Sequence, residues 1–267
     1  MTNERTSHAK PLSMSSMRKT ALVAGILYLL TFASSIPAAL LLGNTLADPA
    51  YITGAGADGQ VRLAALFDII NGLTAFGTAV ALYSVMKRQH EGFAIGFVAS
   101  RLFEAAILFV GVLSVLSIAT LRETAAASAD PASLSAVGLA LTTLYEWAFA
   151  LGTGVPALNA FLLGWLLYRS RLVPRAIPVI GLIGAPLFTS FIIGYIFGIT
   201  DHGTTWHGIA VAPIFIWELS VGLWMTFKGF RKDAPLMVEA AAGSASIHDS
   251  AIVTRSSIGV PSKAGAA

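Results

Sequence analysis

The chain has 267 residues, of which 55% are hydrophobic and only 12% are charged, and its formal net charge at pH 7 is +3. Soluble domains carry roughly 25% charged residues, so this composition indicates a surface that mostly faces lipid. The sequence contains no cysteine, which excludes disulfides, thiolate zinc sites and cysteine nucleophiles.

Six long apolar runs follow one another along the chain, and each reaches the roughly 20 residues that a transmembrane helix needs. Segments rich in Gly, Ser, Asp and Pro separate them, as is typical of loops. We therefore predict an all-α bundle of six transmembrane helices within residues 18–232, with disordered cytoplasmic tails over 1–17 and 233–267. The spans are predicted at about 20–42, 61–86, 93–120, 134–168, 176–199 and 208–227.

The first span also has a feature of signal peptides, because Arg18 and Lys19 precede its apolar run. That run continues to Leu42, which is longer than the roughly 7–15 apolar residues of a signal core. We predict that the span is retained, with cleavage of a signal peptide as the alternative.

Basic residues concentrate on one side of the predicted spans. With the N-terminus inside, the inner segments hold 14 of the 17 Lys and Arg residues, the outer loops hold only Arg62 and Arg122, and Arg101 lies within a span. The positive-inside rule then places both termini in the cytoplasm. We expect a multi-pass protein of the plasma or inner membrane, with the lipid bilayer as its partner and no nucleic acid.

The third span carries Arg101 and Glu104, two charges that are costly within a membrane unless they turn inward and find partners. Residues three apart share a helix face, so both side chains point the same way. At about 1.5 Å per residue from the inner end, they lie about 12 and 16 Å deep, with Glu218 of span 6 at about 15 Å and Asn159 of span 4 at about 13 Å. We predict an inward-facing cluster of Arg101, Glu104 and Glu218, to which Asn159 and threonines of the first two spans add hydrogen bonds.

Two carboxylates and one guanidinium leave this predicted cluster with one excess negative charge. Polar side chains often join transmembrane helices, and the sequence favours a membrane-embedded interaction or regulatory protein whose charges hold the bundle together. The alternative is a small proton- or cation-coupled carrier, or a ligand-binding membrane protein, in which Glu104 and Glu218 act beside Arg101. A water-filled cavity at the cluster would favour this alternative.

A second polar group is predicted nearer the outer interface, with Asp68 and Asn71 on span 2 and Glu146 on span 4. His202 and His207 lie at the same level, but their spacing matches no strong metal-site signature. We predict no metal and no cofactor. Phosphate-binding loops and HExxH or GxSxG patterns are absent from the sequence, so an enzyme is not favoured and we assign no catalytic residue.

Gly194 and Gly198 form a GxxxG pattern in span 5, which can permit close contact between helices. The pattern is compatible with a seam inside the bundle, with a homo-oligomer, or with a partner membrane protein.

Several short motifs carry a resemblance to a known family. They are RKTALVAG at 18–25 running into YLLT at 28–31, SRLFE at 100–104, SRLVPR at 170–175, and WELSVGLW at 217–224 leading to KGF at 228–230. With these motifs the chain resembles, from Met17 to Phe230, the bacterial membrane proteins of domain of unknown function 4386. The resemblance implies a multi-helix integral protein of a bacterial inner membrane, and it brings no known activity, substrate or cofactor.

Overall fold

A computed structural model describes residues 14–43, 45–46, 51–52, 56, 58–125 and 130–242 of the protein. These residues form helices and connecting turns without any strand, and six of the helices are long and apolar enough to cross a membrane. The predicted all-α, six-span fold is therefore confirmed. The helices are α1 (Met14–Leu42), α2 (Asp58–Met86), α3 (Glu91–Ala125), α4 (Pro131–Ser170), α5 (Ala176–Ile196) and α6 (Thr205–Phe227).

Both predicted tails are structured where they meet the membrane domain. Helix α1 already begins at Met14, and Met17 is fully buried in the core. After α6, residues 235–242 form a short helical segment whose Met237 packs into the same core. The prediction of disorder is wrong for these described parts of the two tails. Their scattered apolar side chains pack against the membrane domain, and amino-acid composition alone does not predict that contact. The rest of the two tails, 1–13 and 243–267, lies outside the described residues.

The six helices form a ring. Each helix packs against the next in chain order, and α6 packs against α1, which closes the ring. Neighbouring helices are antiparallel, since Gln60 at the start of α2 donates from Nε2 to the carbonyl oxygen of Leu41 at the end of α1 over 2.9 Å. The turns 87–90 and 171–175 consequently lie at one end of the bundle, where Arg231 N donates to Leu172 O over 2.9 Å. We call this the basic end.

Helix α4 starts three residues earlier than predicted because Asp130 caps it. The Asp130 carboxylate accepts hydrogen bonds from the backbone nitrogen and the hydroxyl of Ser133, each over 3.0 Å. These hydrogen bonds hold the pKa of the Asp130 carboxyl below its usual range. A negative charge at a helix N-terminus is favourable, so the ionised cap fixes where α4 begins.

Helix α5 ends at Ile196, and Gly198 lies beyond it with a φ of 68°. A left-handed glycine is a common way to end a helix. Gly194 and Gly198 therefore do not share a helical face, and Gly194 lies beside Thr200 of the following loop. The GxxxG pattern does not form a helix-contact seam inside the bundle.

Helices α1 and α6 close the ring through a contact that only glycine allows. A Cβ atom on Gly25 would lie 2.5 Å from Thr226 N and 2.9 Å from Gly222 O, both of them backbone atoms of α6. Gly208, near the start of the same α6, has nothing within 4 Å of the equivalent position.

We predict that Gly25→Ala loosens the closure of the ring. The added methyl group must push α1 away from α6, and overpacking of this kind costs about 1–3 kcal/mol. Far-UV circular dichroism during thermal unfolding in mild detergent would measure the loss. Gly208→Ala is the control, and equal unfolding temperatures for the two variants would contradict the prediction.

Candidate functional site

Arg101 of α3 lies inside the ring and contacts acidic side chains on two helices. Its Nη1 lies 3.0 Å from Glu104 Oε2, one turn along the same helix, and its Nη2 lies 2.5 Å from Glu218 Oε1 of α6. The Arg101 side chain is only 3% exposed. A guanidinium buried this deeply is tolerated because two carboxylates neutralise it.

Polar groups from two further helices complete the arrangement. Tyr28 of α1 accepts a hydrogen bond at its hydroxyl from Arg101 Nη2 over 3.1 Å. Asn159 of α4 donates from Nδ2 to Glu104 Oε2 over 2.6 Å, and its Oδ1 accepts from the hydroxyl of Ser100. The network therefore joins α1, α3, α4 and α6. We name its members the charge cluster: Tyr28, Ser100, Arg101, Glu104, Asn159 and Glu218.

The structure thus joins all four predicted cluster residues in one hydrogen-bond network, and it adds Tyr28 and Ser100. Tyr28 lies on the first span at the estimated depth of Arg101, so its depth was the signal that could have assigned it. The threonines are not members. Thr74 and Thr78 donate instead to backbone carbonyls of their own helix, namely Ile70 O and Ala75 O.

A cavity of about 400 Å³ lies inside the ring beside the charge cluster. Side chains of all six helices line it, and it reaches from the charge cluster to His202 in the loop between α5 and α6. That loop lies at the end of the bundle opposite the basic end. The cluster residues Arg101, Glu104 and Glu218 border the cavity directly.

The residues of the predicted outer polar group lie in two different environments. Asp68 and Asn71 line the cavity. Asp68 forms no hydrogen bond or ion pair with the residues that the structure describes. Glu146 is exposed on the surface of α4 and is not part of the cavity lining. It does not join Asp68 and Asn71 in one site.

The end of the cavity away from the charge cluster is aromatic. The His202 ring meets His207 at 4.9 Å and Tyr195 at 4.5 Å between ring centroids. Burial and the neighbouring His207 lower the pKa of His202, so its ring is neutral at neutral pH. Within the described residues, three or more His, Asp or Glu side chains do not gather in any way that could hold a metal ion.

A second ion pair, partly buried and not predicted from the sequence, lies at the same end of the bundle as His202. Arg122 Nε lies 2.8 Å from Asp58 Oδ1, and the Tyr51 hydroxyl donates to the same oxygen over 2.8 Å. Burial and the Asp58 carboxylate raise the pKa of Tyr51. Both charged residues were assigned to loops or span ends, where charges need no buried partner. This pair joins α2 to α3 and lies outside the cavity.

The fold and the buried charges define a multi-pass integral membrane protein. The model of the family described as domain of unknown function DUF4386 matches residues 23–229, and the chain belongs to this family. The resemblance drawn from the short motifs is thereby confirmed. No curated protein and no solved structure matches the chain.

We predict that Arg101→Gln strongly destabilises the protein. The substitution leaves Glu104 and Glu218 without their shared counter-charge, and breaking a buried ion pair in this way costs about 3–5 kcal/mol. Unfolding by sodium dodecyl sulfate in mixed micelles, followed by far-UV circular dichroism, would give the free energy.

Arg62→Gln is the matched control. Arg62 pairs with Glu123 over 2.6 Å, but both side chains are about half exposed. Exposed pairs contribute less than about 1 kcal/mol. Similar losses for the two variants would show that burial of the charge cluster does not matter to the fold.

Proposed function

We propose that this protein binds a small molecule in the cavity within its helix ring. The observation that carries the proposal is that Arg101, Glu104 and Glu218 of the charge cluster border a cavity of about 400 Å³. Ligand sites in proteins typically occupy roughly 300–1,000 Å³ and combine apolar walls with a few convergent polar groups. This cavity has both features, since apolar side chains from five of the six helices surround Arg101, Glu104 and Glu218.

The cavity favours a binding role over a purely structural one. Charges that serve only to hold helices together attract their partners most strongly when protein atoms enclose them on all sides. Here two carboxylates border open space, and Asp68 faces the same space without a partner among the described residues. Ionisable residues inside a membrane that line a cavity commonly mark a pathway or a ligand site.

A second candidate is a membrane-embedded interaction or regulatory protein. It is supported by the hydrogen bonds of the charge cluster, which join four helices and would hold the bundle together without any ligand. A proton- or cation-coupled carrier is a special case of the binding role, because it needs the cavity to open in turn to each side of the membrane.

We further propose a location in the bacterial inner membrane, with both termini in the cytoplasm. The support is the basic end, where Lys87, Arg88, Arg169, Arg171 and Arg175 lie at or within the turns between helices. Lys and Arg are enriched in cytoplasmic loops. In this orientation the end of the cavity near His202 lies on the opposite side, toward the periplasm.

Cysteine labelling tests the cavity directly, because the natural chain has no cysteine to remove. We predict that Thr153→Cys, which places the thiol in the cavity lining, reacts with a membrane-impermeant maleimide added outside spheroplasts. A cavity that holds a polar ligand contains water, and a maleimide needs a hydrated thiolate to react.

Leu151→Cys is the matched control. Leu151 lies two residues away at nearly the same depth, but it is 41% exposed on the outer surface of the bundle, where lipid covers it. Labelling of neither variant would favour the structural candidate. Labelling of Thr153→Cys from both sides of the membrane would point to a carrier.

A further inference from the structure

The lining of the cavity has an excess of negative charge. Asp68, Glu104 and Glu218 border it, and Arg101 is the one Lys or Arg among the described residues that line it. His202 and His207 also line the cavity and add no charge at neutral pH, because burial lowers the pKa of each. Three carboxylates against one guanidinium make the cavity attractive to cations, and low-dielectric walls strengthen the attraction.

Two of the three carboxylates have at least one oxygen without a hydrogen-bond partner among the described residues. Glu104 is fully engaged, since Arg101 Nη1 lies 3.3 Å from Oε1 and 3.0 Å from Oε2, and Asn159 donates to Oε2 as well. Glu218 is half engaged, because Arg101 contacts Oε1 and Oε2 has no hydrogen-bond partner among the described residues. Asp68 has none on either oxygen. A ligand can therefore pair with Glu218 and Asp68 without disturbing Glu104.

The walls of the cavity suit the body of an organic cation. Four phenylalanine rings line it, and an aromatic face attracts a cation that has lost part of its water. Phe32 of α1 and Phe215 of α6 meet edge to face at 5.1 Å and seal the wall between these two helices. The remaining two rings are Phe149 and Phe188.

Two other kinds of ligand fit less well. An anion would need an accessible guanidinium donor, but both terminal nitrogens of Arg101 are engaged, and its Nε, which has no hydrogen-bond partner among the described residues, is buried beneath protein atoms. A bare metal ion would need several ligands around one point, and the described residues offer no group of three or more His, Asp or Glu side chains. A cavity of about 400 Å³ is also far larger than one ion.

We propose that the ligand is a small organic cation, with an ammonium group at the second oxygen of Glu218, an apolar body against the phenylalanine rings, and Asp68 as a further negative charge in the same cavity. This inference rests on the proposed ligand-binding function. The same ammonium chemistry can belong to a free amine or to the headgroup of a lipid.

The experiment uses the full chain in a maltoside detergent, whose headgroup is uncharged. Isothermal titration calorimetry compares hexyltrimethylammonium with its neutral isostere, in which a tert-butyl group replaces trimethylammonium, and with hexanoate. We expect the ammonium to bind about tenfold or more tightly than the isostere, because only the ammonium gains from the carboxylates. Hexanoate should bind least.

Two variants locate the ammonium group. Glu218→Gln and Asp68→Asn should each weaken hexyltrimethylammonium binding by about tenfold, since each removes one negative charge from the cavity lining. Asp68 makes no ion pair with the described residues, so Asp68→Asn folds even where Glu218→Gln does not. Glu146→Gln, a carboxylate on the outer surface of α4, is the control and should bind as the natural chain does. Competition by phosphatidylethanolamine would assign the ammonium to a lipid headgroup, and its absence to a free amine.

Two outcomes would overturn the inference. If the isostere binds as tightly as the ammonium, the cavity takes a neutral ligand, and the proposed binding function stands without the cation. If hexyltrimethylammonium fails to bind while Thr153→Cys is still labelled, the cavity is open but not selective for organic cations. Failure of both binding and labelling would contradict the proposed ligand-binding function itself.

Discussion

The burial of one guanidinium constrains this fold more than any other single feature. Arg101 lies near the middle of a transmembrane helix, where an unpaired charge is not tolerated. It is stabilised by groups on α1 and α6 as well as on its own helix, and Asn159 of α4 orients Glu104. The ion pairs and hydrogen bonds of Arg101 and Glu104 therefore form only when four helices have the correct rotation and depth. Apolar packing between helices in lipid is much less selective, because lipid tails solvate leucine as well as another helix does.

The ring has two regions with different packing. Toward the basic end, small residues such as Ala21, Gly25 and Gly222 bring α1 and α6 together, and the described part of the C-terminal segment covers the end of the bundle. Toward the opposite end, the interior of the ring is lined by Phe, Asp and Asn side chains that do not fill it, and the cavity results. The charge cluster lies where these two regions meet. Its carboxylates consequently have protein on one side and open space on the other.

Depth along each span could be predicted from the sequence, whereas rotation about each helix axis could not. Counting from the inner ends brought Arg101, Glu104, Glu218 and Asn159 to one level, and the spacing of three fixed the common face of the first two. The same count put Asp68 and Glu146 at one level, yet Asp68 lines the cavity and Glu146 is exposed on the bundle surface. In a soluble helix an apolar stripe would have distinguished them. Here leucine and phenylalanine cover both the lipid face and the interior, so that signal is lost.

The structural and ligand-binding roles of the charge cluster are compatible because its two carboxylates differ. Glu104 accepts from Arg101 and Asn159, and its side chain is 9% exposed, so it serves the contact between α3 and α4. Glu218 is 15% exposed and holds Arg101 through one oxygen, which leaves the other oxygen toward the cavity. A ligand that takes this second oxygen adds an interaction without breaking one. In the binding role that we propose, stability depends chiefly on Arg101 and Glu104, and recognition depends on Glu218 and Asp68. Buried charges that hold a helix ring together can therefore also present a binding surface at its centre.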